Sequence, residues 1–276
     1  MTLKRQALTI LVIVIGIAVI TTWIFLITPD IINQIDGYDD FFSYNGRTSD
    51  LESLIDGKPQ TPIYVIYKHE FVGEDSDVIE FLTSYTNYNA QNDEILWQTT
   101  QTNFVDKKTG LFIEPANTYF QFPRNTQKQN YLVYVYDNGD PQPFVFEEET
   151  TLDGLNVYRF SCKLTAADLS QFYTEFYPDK VFSDYECNAW IEPITGDQIK
   201  YEENWNDYIL QNDTEIPVEI TYAQTTEFAK QLSIEKTLNK INLFEIYETL
   251  IPTIFSITVS GICAVIVFYI NNKQKV

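Results

Sequence analysis

The chain has one histidine in 276 residues, and that scarcity removes whole classes of chemistry. A metal site with two imidazoles and the HExxH arrangement both need a second histidine. No GxSxG elbow, phosphate-binding loop or GxGxxG turn occurs in the sequence. With 39 acidic residues, carboxylate pairs are unavoidable, so none is singled out as an acid–base couple. The one histidine, His69, stands beside the apolar run Ile63–Tyr67 and reads as a solitary surface residue. The expectation is a protein with no enzymatic activity, no metal and no cofactor.

Positive charge is also scarce. The 39 acids all lie between two apolar runs near the chain ends, together with 14 of the 18 cations, an excess of 25 acids. Such a segment repels nucleic acid and anionic lipid headgroups, so no nucleic-acid partner is expected and the acids read as a solvated surface. The clusters Glu74-Asp75-Ser76-Asp77 and Asp36, Asp39, Asp40 are weak candidates for Ca²⁺, since they lack the ligand spacing and turn glycine of an EF-hand loop.

The two runs, residues 7–28 and 250–270, carry no charge. Each is long enough for a helix to cross a hydrocarbon core of about 30 Å. The first has no small-residue cleavage site before Pro29 and reads as an uncleaved anchor, a removed leader being the alternative. Lys4 and Arg5 precede the first run, and Lys273 and Lys275 follow the second. By the positive-inside bias both termini are cytoplasmic and the intervening domain is extracytoplasmic. The expected organisation is a tail at 1–6, a transmembrane helix at 7–28, a β-rich domain at 29–224, a juxtamembrane helix at 225–249, a second transmembrane helix at 250–270 and a tail at 271–276. Gly261, Cys263 and Ala264 would allow close approach of the first helix or of a partner's helix.

Of three cysteines, Cys162 and Cys187 lie between the runs, where a disulfide can persist; two free thiols are the alternative. Asn212-Asp213-Thr214 is a candidate glycosylation signal and implies only exposure of Asn212.

No Gly/Ser linker divides the intervening segment, and its pattern is mostly that of strands. Ile63–Tyr67 is a continuous apolar run, the pattern of a strand covered on both faces, and Tyr131–Tyr136 is another. Residues 137–141 form a turn before Pro143–Phe146, and Leu152-Asp153-Gly154 forms the next before Val157–Cys162. These runs are short, and acids interrupt their outer faces, so a lipid-facing barrel is not expected. Thr165–Tyr173 predicts a short helix capped by Thr165, and Thr225–Glu248, free of Pro and Gly, predicts a longer one leading into the second span. The fold class expected is α+β, strand-dominated, with antiparallel sheets and short helices between two transmembrane helices.

One pattern occurs twice. Phe104-Val105-Asp106-Lys107-Lys108-Thr109-Gly110 matches Trp190-Ile191-Glu192-Pro193-Ile194-Thr195-Gly196: aromatic, β-branched, acid, two variable residues, Thr, Gly. Each ends a strand, and each is followed by another, Leu111–Ile113 and Gln198–Tyr201. The acid and Thr can bond turn amides, and Gly can adopt positive φ. Two related hairpins, structural turns rather than parts of a ligand site, are expected; a catalytic role for Asp106 and Glu192 is the alternative.

The chain has 19 Phe, 19 Tyr and 4 Trp, which suit a β core. Some of them could line a groove in which Tyr hydroxyls fix the polar end of an amphiphile. The order of the two repeated turns, Phe120-Gln121-Phe122-Pro123, Tyr131–Asp137 and Gly154-Leu155…Tyr158-Arg159-Phe160 resembles the prokaryotic PorA-like family, whose members have an anchor helix at each end of an extracytoplasmic domain. The resemblance brings no catalytic residues. It implies an envelope protein that binds a membrane lipid or other amphiphile on the outer side of the membrane. The rival expectation is a structural or accessory subunit of a membrane complex or surface layer, joined through its two helices and without a small-molecule ligand.

Overall fold

Along Val181–Ile191 every second residue is buried, from Val181 through Ser183, Tyr185, Cys187 and Ala189 to Ile191. That period of two puts one face of a pleated strand into a core. The computed structural model describes residues 3–29, 31, 40–75, 77–135, 140–173, 179–212 and 214–272. It contains ten strands: β1 (Asp40–Asp50), β2 (Thr61–Asp75), β3 (Val78–Asn89), β4 (Ile95–Asp106), β5 (Tyr131–Val135), β6 (Asp140–Leu152), β7 (Leu155–Asp168), β8 (Val181–Ile191), β9 (Gln198–Gln211) and β10 (Thr214–Thr225). The helices are α1 (Leu3–Thr22), α2 (Leu51–Asp56), α3 (Ser170–Tyr173), α4 (Glu227–Glu245) and α5 (Ile251–Asn272), with π-turns extending α1 over Trp23–Ile27 and joining α4 to α5 over Ile246–Leu250. Two compact units result, residues 38–237 and the terminal segments 1–37 with 238–276.

In the larger unit the strands form one antiparallel sheet, ordered β4-β3-β2-β1-β10-β9-β8-β7-β6-β5. Its edges, β4 and β5, are connected through the segment between them. Val105 bridges Phe112, Leu111 bridges Tyr119, and Tyr119 bridges Val133. The sheet therefore curls, and this segment protects edges that would otherwise carry unpaired backbone groups. Inward-facing side chains, among them Ile63, Val65, Phe144, Phe160, Tyr185 and Ile191, make the main core. Cys162 and Cys187 are cross-strand partners within it, bonded, with Cα atoms 5.0 Å apart.

The outer face has the opposite chemistry. Lys163, Glu186 and Asn204 form a row across β7, β8 and β9, with Lys163 paired to Glu186. Arg159, Trp190 and Lys200 form another. In it Arg159 is paired to Glu148 at 2.8 Å and Lys200 lies 4.3 Å from the Trp190 ring centroid. A membrane barrel needs an apolar band at such positions, so the outer face of β7–β9 is suited to water.

In the smaller unit α1 and α5 pack antiparallel. Trp23 stacks on Phe255 at 4.7 Å between centroids, and Cys263 Sγ lies 3.7 Å from the Val12 carbonyl oxygen. Gly16 lies at the crossing, where a Cβ would sit 2.6 Å from Cys263 Sγ and the Cys263 side chain would have to turn aside. Two helices, Gln6–Ile27 and Glu227–Asn272, are long and apolar enough to cross a membrane.

Several expectations need correction. Most strands are 11 to 15 residues long rather than short, so the polarity of the outer face, not strand length, is what argues against a lipid-facing barrel. The segment expected to be helical from Thr165 continues β7 to Asp168, and only Ser170–Tyr173 is helical. In the segment 111–113 Leu111 and Phe112 form isolated bridges, not a strand. In Ile63–Tyr67 only Ile63 and Val65 are fully buried, so the strand is not covered equally on both faces. The turn at 137–141 falls largely outside the described residues, as do Asp36, Asp39, Lys273 and Lys275.

Candidate functional site

His69 is where the sequence reading fails most plainly. It lies in β2, and it is buried, not at the surface. Its ring packs 4.4 Å from Phe120 and 4.6 Å from Tyr67, and Nδ1 is 2.9 Å from the Thr83 hydroxyl. Asn103 Nδ2 donates to that same hydroxyl oxygen at 2.9 Å. Thr83 thus links Asn103 to the imidazole, and burial holds the His69 pKa down to about 3. At neutral pH the ring is uncharged.

His69 lines a cavity of ≈100 Å³ inside the curled sheet. Strand register places the aromatic part of its wall. Phe42 on β1 faces Tyr67 on β2, which faces Tyr85 on β3, giving a ladder with centroid spacings of 6.3 and 6.4 Å. Phe120 and Phe122 enter from the closing segment, and Tyr201 and Glu203 enter from β9. At the polar end the hydroxyls of Tyr185 and Tyr201 are hydrogen-bonded, and Tyr185 donates to Glu203 Oε2 at 3.1 Å. Glu203 is 3% exposed. Exposed Gln121 and half-buried Asp197 and Gln198 also line it, with Val133, Val135 and Phe144 from β5 and β6. Gln198 Nε2 lies 3.3 Å from the Tyr44 hydroxyl, and Asp197 accepts from Thr237 at 2.9 Å.

The two repeated turns have the same internal bonding. Asp106 accepts from the Thr109 amide and hydroxyl, both at 2.8 Å, and Gly110 N donates to the Asp106 carbonyl at 2.9 Å. Glu192 accepts from the Thr195 amide at 2.8 Å and its hydroxyl at 2.9 Å, and Gly196 N donates to the Glu192 carbonyl at 2.9 Å. Gly110 and Gly196 have φ of 68° and 80°. The side chains of Phe104 and Trp190 both point away from the core face on which Val105 and Ile191 are buried.

Their surroundings differ. The first turn is at the surface, where the Thr109 hydroxyl and amide hold the Asp106 carboxyl below its usual range. The second is buried, with Glu192 and Thr195 in the interior. A Cβ on Gly196 would lie 2.4 Å from the Phe122 carbonyl oxygen and 2.8 Å from that of Pro123. The absence of a side chain there lets Phe120-Gln121-Phe122-Pro123 settle onto the turn and presents Phe122 to the cavity. Gly196 itself is part of the cavity wall, so this turn is not separate from the candidate site as expected.

Other carboxylates are accounted for locally. Glu74 and Asp77 pair with Lys107 and Lys108 at 2.8 and 3.0 Å, and no cluster of metal-ligating side chains occurs among the described residues. Tyr173 Oη is 2.5 Å from Asp207 Oδ2 and 3.1 Å from Glu219 Oε2. Burial, with the Glu219 charge adding to it, pushes Asp207 up to about 6. Asn212 is exposed at the turn between β9 and β10, with φ of 51°.

Sequence reasoning missed His69, Tyr185, Tyr201 and Glu203. The signal was strand phase: His69 follows Ile63, Val65 and Tyr67 at every second position, and Glu203 follows Ile199 and Tyr201. A carboxylate on the apolar face of a strand marks a polar site in a core.

A family model described as Porin PorA matches residues 115–268, more than half of the chain. No curated protein matches the chain.

Proposed function

We propose, from the premise that this chain belongs to the Porin PorA family, that it acts on the outer side of a membrane by binding a lipid or other amphiphile. The family and the two apolar helices make it a membrane-associated envelope protein. Both termini are cytoplasmic in this proposal, a topology supported by the flanking cations and by the antiparallel packing of α1 and α5. The larger unit is then extracytoplasmic, where its disulfide persists.

The observation that carries the binding reading is the cavity, with an aromatic ladder on one side and the Tyr185–Tyr201–Glu203 network on the other. Its ≈100 Å³ is well below the roughly 300 Å³ at which pockets for whole drug-sized ligands begin. Only one end of an amphiphile enters, and the remainder stays outside. Catalysis is no part of the proposal: His69 is neutral, buried and engaged by Thr83.

The test is native mass spectrometry of the full chain extracted from its own membrane. A lipid adduct that disappears when Val133 on the cavity wall is enlarged to Trp, in a variant that keeps its unfolding temperature, supports the proposal. The small volume favours one other reading, a structural or accessory subunit. That reading requires no lipid adduct and a stoichiometric protein partner instead.

A further inference from the structure

Taking the cavity as the binding site proposed above, the chemistry of its wall narrows what enters. Nine of its 17 lining residues are Phe or Tyr, two are carboxylates, Asp197 and Glu203, and none is Lys or Arg. The one basic side chain in the lining, His69, is kept uncharged by burial. A phosphate or carboxylate entering here would meet no cation and would approach Glu203, a buried acid. An uncharged hydrocarbon end would add no electrostatic complement to the buried Glu203 carboxylate, which accepts from Tyr185.

Aromatic walls combined with an acid suit a positive group. Ring faces attract cations, and alkylated ammonium groups add apolar contact to the electrostatic one. The small volume accepts a head of a few heavy atoms and not a chain. We infer that the cavity takes an alkylated ammonium group, its charge balanced by Glu203 and its alkyl carbons packed among Tyr44, Tyr67, Tyr85 and Phe122. The amphiphile is held by its head, with its tail directed past Gln121 to the outside.

The experiment titrates the full chain, in micelles of a sugar-headed detergent, with choline and with 3,3-dimethyl-1-butanol, its uncharged carbon isostere. Binding is followed by calorimetry and by the fluorescence of Trp205, whose ring is 4.1 Å from that of Tyr185. Choline is expected to saturate the protein at least tenfold more tightly than the isostere, and Glu203→Gln to remove that preference. Tyr85→Leu, at a half-buried ring, should weaken choline several-fold. Each variant's thermal unfolding confirms that it is folded, and if Glu203→Gln does not fold, the choline-to-isostere ratio and Tyr85→Leu still decide. Equal binding of the two probes, or no choline binding up to 100 mM on the order of a weak cage contact, overturns the inference. So does co-purification of a lipid without an amine, although that result leaves the amphiphile reading standing. Absence of both choline binding and any lipid adduct ends both.

Discussion

Replacing Gly110 and Gly196 separately by Ala distinguishes the two matching turns quantitatively. Both residues have positive φ, 68° and 80°, so either substitution places a Cβ in the left-handed region at a cost of about 1–2 kcal/mol. At Gly110 nothing lies within 4 Å of the new Cβ, and that cost is the whole effect. At Gly196 the Cβ would meet backbone oxygens at 2.4 and 2.8 Å, which cannot rotate away as a side chain would. Either the turn or the Phe122–Pro123 segment must move, adding about 1–3 kcal/mol. With roughly 2–4 °C per kcal/mol for a unit of this size, Gly110→Ala should lower the unfolding temperature by about 2–8 °C, and Gly196→Ala by about twice as much. The assay is thermal unfolding of the full chain in detergent micelles, followed by tryptophan fluorescence. Equal losses at the two sites would refute the close approach of the Phe122 carbonyl, and with it the account of how that segment is held over the cavity.

Converting Cys162 and Cys187 to Ser should destabilise the larger unit by about 3 kcal/mol, since the bond closes a loop with a sequence separation of 25; unchanged unfolding in urea would contradict this. Asp207 keeps its proton in the folded state up to about pH 6, against an unfolded value near 3.8. Its contribution is therefore full below about pH 4 and is lost as pH rises through 6. It amounts to about 2–3 kcal/mol, visible as the difference between wild type and Asp207→Asn across that window. His69 has the opposite sign: its folded pKa is depressed to about 3, so its contribution is present above about 6.5 and is lost as pH falls. His69→Gln should shift the midpoint of acid unfolding to lower pH, and an unmoved midpoint would mean that the ring is accessible to protons in the folded state.

What was legible in the sequence follows from the range of the interactions involved. The repeated turns could be read because an acid, a Thr and a Gly within five residues specify their own hydrogen bonds. The two apolar helices could be read from length and composition. Strand extents could not: Thr99–Thr102 and Glu202–Asn204 are polar, and they are held in strands by cross-strand neighbours rather than by an apolar pattern. Closure of the sheet depends on single bridges of Phe112 to Val105, Leu111 to Tyr119 and Tyr119 to Val133, which no periodic pattern in the sequence announces. The extension of β7 past Thr165 has a comparable cause. Ala166 adopts a φ of 53° at a register shift, and its amide is bonded to Asp184 at 2.8 Å, so a segment with helical composition completes a strand. The cavity was missed because it is assembled from six strands and a closing segment, although the phase of His69 and Glu203 pointed to its wall.

Site-specific photo-crosslinking tests the central claim, binding within the curled sheet, most directly. A benzophenone side chain replaces Tyr85, which lines the cavity, or Trp190, which alternates with buried Ala189 and Ile191 and faces outward. Each full-length protein is irradiated in its native membrane and analysed by mass spectrometry. The account predicts a lipid adduct of one defined mass from position 85 and none above background from position 190. Equal labelling at the two positions, or no lipid adduct from position 85 in a folded protein, would contradict it.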